Sequence, residues 1–324
     1  MTSIKDVAKL AGVSVATVSR VLNNKGYVGV STREKIEKLI EELNYKPNEV
    51  ARSLFKKQSN TIGLIVPDIM NSFFPELARA VEDTAATLGF NVILCNSDEN
   101  SEKEQTYLDV LQQKYVNGII VSSNTITAEQ IQKLNIPVVS IDREISKGLP
   151  TIVVENKKGA ITATQFLKNK GCTRIAHIRG SDGVVNAEER YEGYKEVVGH
   201  DEWFEESYIV NGNYDMRTSI AATLELLKRH PEIDGIFAAN DLMAIGAIKA
   251  AYQLDIKIPE QLSIVGFDGI TLSAATTPEL TTIVQPIYEM GEIATTMLVN
   301  LMEKKKIEKT YYKLDVELVE REST

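Results

Sequence analysis

The sequence is poor in the residues that build disulfide, metal and redox chemistry. Two cysteines occur in 324 residues, Cys95 and Cys172, with no C-x-x-C spacing. That leaves no disulfide framework and no cysteine zinc site, and a reducing compartment with inert thiols is expected. Three histidines, His177, His200 and His230, stand too far apart for a metal-binding motif and are expected as surface or packing residues. The one tryptophan, Trp203, sits in an acidic stretch, where surface packing is expected. No apolar run approaches the roughly 20 residues of a membrane span. The start Met1-Thr2-Ser3-Ile4-Lys5 leads into a charged amphipathic segment rather than a signal sequence, so a cytoplasmic location is expected. Walker loops, dinucleotide-binding glycine fingerprints and G-x-S-x-G elbows are missing too, and neither a cofactor nor enzymatic activity is expected.

Positive charge is scarce overall and unevenly placed. The formal net charge of −9 argues, taken globally, against nucleic acid as a partner. Residues 1–60 nevertheless carry eight lysines and three arginines against six acids, a balance of +5 that leaves −14 for the remainder. A basic head on an acidic body fits a chain whose one end meets phosphate. With 43% hydrophobic and 25% charged residues, there is enough apolar material to core two or three units.

Ile4, Val7, Ala8 and Ala11 recur at i, i+3, i+4 and i+7, which predicts a short helix. Gly12 can end it, and Ser14 caps a second helix whose inward face is Val18, Val21 and Leu22. Asn23-Asn24 and Gly26 mark a loop. Ser31-Thr32-Arg33-Glu34 reads as the capping box of a third helix that buries Ile36, Leu39, Ile40 and Leu43, and Pro47 closes the region. Two short helices joined by a glycine-containing turn, with a third behind, read as a helix-turn-helix, although any small three-helix bundle shares the pattern. The second helix exposes Val15, Ala16, Thr17, Ser19 and Arg20; small residues let it sit deep in a major groove, and Arg20 can grip a guanine edge. Residues 48–56 suit a helix but are too few to hold one alone in water, so they are expected to fold only when paired and bound.

Lys5-Asp6-Val7-Ala8, the run from Gly12 to Asn23 and the run from Tyr45 to Leu54 closely resemble the headpiece of the lactose/galactose repressor family of transcription regulators. The resemblance implies that Val15, Ala16 and Arg20 face bases, while Thr17, Ser19 and Asn23 approach phosphates beside the capping Ser14. It makes 48–56 a hinge helix that lies in the minor groove beside its dimer mate. There Ala51 belongs to the contact face and Leu54 wedges between base steps to bend the duplex.

Beyond the headpiece, strand-like apolar runs alternate with helical patterns in two successive series, which argues for parallel sheets covered by helices. Val139-Ser140-Ile141-Asp142-Arg143 and Val265-Gly266-Phe267-Asp268-Gly269 each end a strand in an aspartate. Two similar lobes, each offering a carboxylate at a strand's C-terminal end, place both acids at a shared cleft. Sugars call for carboxylates, amides and guanidinium groups on their hydroxyls and aromatic faces on their C–H surfaces. Candidates after strand endings are Asn71, Phe73, Phe74, Asp142, Arg143, Arg190, Tyr214, Asn240, Asp268 and Gln285. The pair Asp142 and Asp268 also suggests glycoside hydrolysis, but Arg143 keeps its neighbour ionised, and the amides fit holding better than acid catalysis.

This part resembles the periplasmic sugar-binding proteins, ribose-binding members in particular. That implies a ring packed by Phe73 and Phe74, with hydroxyls bonded by Asp142, Arg143, Arg190, Asn240, Asp268 and Gln285. Two positions depart: Tyr214 stands where phenylalanine is usual, and Ser123 or Asn124 stands near an expected asparagine. Within the regulator family the pattern is most like that of ribose operon repressors, over the full length. The expected architecture is an all-α helix-turn-helix headpiece, residues 1–57, followed by an α/β two-lobed periplasmic-binding-protein-like domain with parallel sheets, residues 58–324. Its lobe 1 is expected at about 61–160 and 286–311, and lobe 2 at about 161–285 and 312–324. The expected partners are a pseudo-palindromic double-stranded operator, a sugar effector such as ribose, and a second copy of the chain, docked through Glu76 to Leu88 and the matching face of lobe 2. A purine-type corepressor, a phosphoprotein partner and a sugar-transport role are the alternatives.

Overall fold

The computed structural model describes residues 3–24, 26–45 and 59–324; the segment 48–56, with Ala51 and Leu54, lies outside them. The chain divides into two units between Ser59 and Asn60. In the first, α1 (Ile4–Ala11), α2 (Val15–Leu22) and α3 (Val30–Glu42) enclose Val7, Ala8, Ala11, Val18, Val21, Ile36 and Tyr45. Gly12 takes φ 72° and lets the chain leave α1 for α2, a left-handed conformation that a side chain resists. A capping box stands at Ser3 and Asp6, not at Ser31 and Glu34. The helix α3 opens at Val30 with Gly29 as its cap, so Ser31 already lies within the first turn, where its hydroxyl no longer caps.

The second unit is two lobes built on one plan. Lobe 1 runs β1 (Thr61–Val66), α4 (Phe73–Thr87), β2 (Asn91–Asn96), α5 (Ser101–Gln113), β3 (Gly118–Val121), α6 (Ala128–Gln132), β4 (Val138–Ile141) and β5 (Thr151–Val154). Lobe 2 follows with α7 (Asn156–Asn169), β6 (Ile175–Arg179), α8 (Val185–Val198), β7 (Ile209–Asn211), α9 (Met216–Arg229), β8 (Gly235–Ala238), α10 (Asp241–Gln253), β9 (Ser263–Asp268) and β10 (Thr281–Val284). The chain then returns to lobe 1 for α11 (Ile287–Met302) and β11 (Tyr311–Leu314), and ends in lobe 2 with β12 (Glu317–Val319). The sheet orders are β11-β5-β4-β3-β1-β2 and β12-β10-β9-β8-β6-β7, so β4 and β9 hold the same place. Every pairing is parallel except β10 with β12. Helices cover both faces, which is why the central strands are buried end to end and read as continuous apolar runs.

The lobe boundaries differ from those expected. The first crossing falls at Glu155, because Ala160, Ala163 and Leu167 of α7 pack with Phe267 in the core of lobe 2. Tyr311 to Val319 holds two strands: β11 pairs with β5 in lobe 1 and β12 with β10 in lobe 2, with Val316 packed against both cores between them. Trp203 is half-buried and packs edge-on against Phe204 and Tyr208 at 6.5 and 5.7 Å. His177 is fully buried between Tyr194 and Phe237, ring centroids 4.9 and 5.0 Å away. Burial holds its pKa down at about 3, so it stays neutral. Among the described residues no helix is long and apolar enough to cross a membrane.

Candidate effector cleft and DNA-reading helix

A cavity of about 440 Å³ opens between the lobes, and nine of the ten sequence-predicted effector residues line it: Asn71, Phe73, Phe74, Asp142, Arg143, Arg190, Tyr214, Asp268 and Gln285. Phe73 and Phe74 open α4 and meet edge to face at 5.0 Å, both almost wholly buried. Asn71 shapes that turn, its Oδ1 accepting from the Phe73 N–H at 3.2 Å. Met216 and Leu242 supply apolar wall from lobe 2. An apolar floor with a few convergent polar groups is the usual build of a small-molecule site.

Each lobe contributes one acid at the end of its equivalent strand. Asp268 closes β9, and its Oδ1 accepts from Arg190 Nη1 at 3.1 Å and Gln285 Nε2 at 2.7 Å. Arg190 is itself fixed by Asn156 at 2.9 Å, by the Ala239 carbonyl at 2.6 Å and by the Phe267 ring 3.7 Å beneath its guanidinium. Asp142 follows β4, with Arg143 Nε 3.3 Å from its Oδ2, while Arg143 Nη1 donates to Glu99 at 2.8 Å. Burial pushes the Asp268 carboxyl up, Arg190 pulls it back, the Asp142 charge pushes again, and the balance lies at about 6. Behind it Asp241, fully buried, accepts from the Ile270 N–H at 2.9 Å and from the Thr282 hydroxyl. Burial and the Asp268 charge hold Asp241 well above the usual carboxylate range.

Backbone strain gathers at this cavity. Asp98, Glu99, Asp142, Asn213, Tyr214 and Asp268 all line it with φ between 52° and 113°. A non-glycine residue held there costs roughly 1–2 kcal/mol and persists only where the surroundings enforce it, as at ligand sites.

Asn240 is the predicted residue that the cavity lining leaves out. Its Oδ1 caps α10 through the Met243 N–H at 2.9 Å, while its buried Nδ2 has no hydrogen-bond partner among the described residues. Ser123 and Asn124 also stand outside the lining: Ser123 accepts from the backbone of Thr125 and Ile126, and Asn124 reaches Glu99 at 3.4 Å. Sequence reasoning missed Asn186, which lies four residues before Arg190 on the same face of α8 and bonds both Asp142 oxygens at 3.2 Å. Helical spacing from Arg190, once that residue is placed in the cleft, is the signal that could have found it. Asp98, Glu99 and Asp215 were missed as well, being loop or cap acids with no periodicity.

In the first unit, Ser14 caps α2, accepting from the Thr17 N–H at 3.1 Å with the two hydroxyls 2.9 Å apart. Val15, Ala16 and Arg20 are exposed on one side of the helix, opposite the buried Val18 and Val21. Asn23 closes it, Nδ2 donating to the Ser19 carbonyl at 2.7 Å and hydroxyl at 3.2 Å. The arrangement leaves a short, small-residue surface with one long cation at its end, the shape that enters a major groove.

Comparison with known proteins agrees with both units. Residues 3–48 match the family described as bacterial regulatory proteins, lacI family, and residues 164–324 match a periplasmic binding protein-like domain. The ribose operon repressor of Halalkalibacterium halodurans is 50% identical over 324 residues, covering 100% of this chain and 97% of that protein. The lac repressor dimer bound to operator and the anti-inducer ONPF superposes with a TM-score of 0.87 at 27% identity, covering 99% and 98% of the two chains. A periplasmic binding protein/LacI regulator from Alkaliphilus metalliredigens, complexed with D-xylulofuranose, gives a TM-score of 0.76 at 32% identity over 82% of this chain and 99% of that one.

Proposed function

The chain belongs to the lacI family of bacterial regulatory proteins, and from that premise we propose that it represses a ribose-utilisation operon and leaves its operator when ribose or a close pentose relative binds between the lobes. It is a DNA-binding transcriptional repressor with a sugar-binding-type domain. The observation that carries the effector reading is the pair Asp142 and Asp268, set on equivalent strands of the two lobes and buttressed by Arg143, Arg190 and Gln285 around one cavity. Hydroxyl-rich rings need that arrangement, and Phe73 with Phe74 supplies the apolar face. The name of the half-identical relative and the pentulose held by the A. metalliredigens regulator favour a five-carbon sugar.

Charge favours a free over a phosphorylated sugar. Asp68, Asp98, Glu99, Asp142, Asp215 and Asp268 face the cavity against two arginines, and both arginines are already paired with acids. A phosphate meets a surplus of like charge there, so an uncharged sugar is the effector. Both central acids are held by donors rather than left to transfer protons, in keeping with a binding site and no enzymatic reaction. The protein acts in the cytoplasm as a homodimer, each headpiece reading one half of a pseudo-palindrome through Val15, Ala16 and Arg20, with the segment holding Ala51 and Leu54 in the minor groove between.

A thermal-shift screen tests the reading, since a ligand that binds only the folded state adds about 2.7 kcal/mol at 100 times its Kd. D-Ribose should raise the melting temperature while ribose 5-phosphate and purines leave it in place. A shift with a purine and none with any pentose would replace this effector with a corepressor of another class.

A further inference from the structure

The cleft contains a hydrogen-bond chain that joins the lobes. Asn186, on the first turn of α8, is 5% exposed. Its Nδ2 lies 3.2 Å from each carboxylate oxygen of Asp142, across the cleft in lobe 1. Its Oδ1 accepts from the Tyr214 hydroxyl at 3.1 Å. The amide orientation follows from chemistry: turned the other way, its oxygen faces a carboxylate and its NH₂ faces a phenol. Tyr214 is held to this task. Its φ is 56°, and its ring packs so tightly on Gly180 that a Cβ there stands 2.3 Å from Cζ.

We propose that Tyr214 is a positioning residue that orients the Asn186 amide, and that the Tyr214–Asn186–Asp142 chain ties lobe 2 to lobe 1. Its consequence is preorganisation. Asp142 is fixed at its strained strand end and linked across the cleft, so less binding free energy goes into ordering the site. A phenylalanine at 214 keeps the ring but loses the phenol donor that sets the amide. The phenol hydrogen is spent on Asn186. The inference rests on the effector reading above for its ligand.

The test is a double-mutant cycle on the full chain with D-ribose as probe. Tyr214→Phe should weaken ribose binding about 3-fold to 10-fold and Asn186→Ala by at least as much, a range typical of a lost hydrogen bond. The double variant should bind no more weakly than Asn186→Ala alone, because Tyr214 acts through Asn186. Multiplying losses would overturn the proposal and make Tyr214 a direct ligand contact. If the parent does not bind ribose, the effector reading fails, and the chain is judged without ligand. Amide hydrogen exchange at the N-terminal end of α8 and around Asp142 should then speed up in both single variants. Unchanged exchange in both would overturn the proposal.

Discussion

Asp142 and Asp268 stand at the ends of strands that hold the same position in two separate sheets, and both take positive φ, 65° and 113°. Neither value is comfortable for a residue with a side chain. Each acid is nevertheless almost fully buried and braced by donors, Asp142 by Asn186 and Asp268 by Arg190 and Gln285. The duplicated fold thus delivers the same chemical group twice, from opposite walls, to one cavity. A ligand that bonds both acids reports the angle between the lobes.

The charge state of Asp268 makes effector binding depend on pH. Its folded pKa, at about 6, lies above the ordinary carboxylate value, so protonation favours the unliganded fold. The stability this contributes is present below the unfolded value and lost as pH rises through about 6. Sugar hydroxyls donate better to the ionised form, so ribose affinity should climb between about pH 5 and pH 7. His177, held neutral with its pKa at about 3, adds nothing in that window. Asp268→Asn should flatten the profile, as isothermal titration at several pH values will show.

Removing the Arg20 side chain should cost about 1–3 kcal/mol per half-site and relax base preference at one operator position. Leu54→Ala should act differently, reducing the bend at the central step while leaving major-groove preference in place. Binding to straight and pre-bent operator duplexes separates the two: a wedge residue matters less on DNA already bent, whereas Arg20 matters equally on both.

Gly12→Ala should destabilise the headpiece by roughly 1–2 kcal/mol, because a left-handed φ of 72° is strained for alanine. Space is not the issue, since a Cβ there meets nothing within 4 Å. Gly12→Asn should lose less, asparagine tolerating that conformation. Thermal unfolding followed by near-neighbour exchange in α1 and α2 measures the order.

A dimer is expected whenever operator is saturated, because two headpieces and two hinge segments must meet one pseudo-palindrome. Light scattering on the complex should give two chains per duplex. A single chain bound tightly to a full operator would remove the symmetric mode of reading.

The strands were legible in the sequence because burial on both faces leaves uninterrupted apolar runs, as at Ile119-Ile120-Val121 and Val138-Val139-Ser140-Ile141. Strand-end acids were legible for the same reason: a charge after such a run has few places to go. Asn240 lies outside the lining because residues that follow a strand also open a helix, and the cap takes its Oδ1 while Nδ2 has no partner among the described residues. Asn186 was silent because polar residues on a helix reveal no face until a partner such as Arg190 is placed. The last crossing between lobes was not legible near 311–319, because lobe membership is set by which edge a segment pairs with and apolar pattern carries no such information.

The most direct test is operator affinity measured with and without saturating D-ribose, for the parent chain and for Asp268→Ala. The parent should bind operator more weakly with ribose by about 1–3 kcal/mol of coupling, and by linkage operator should weaken ribose binding equally. Asp268→Ala should bind operator as the parent does and ignore the sugar. A parent affinity unchanged by ribose would contradict the account, and one tightened by it would reverse the direction of the switch.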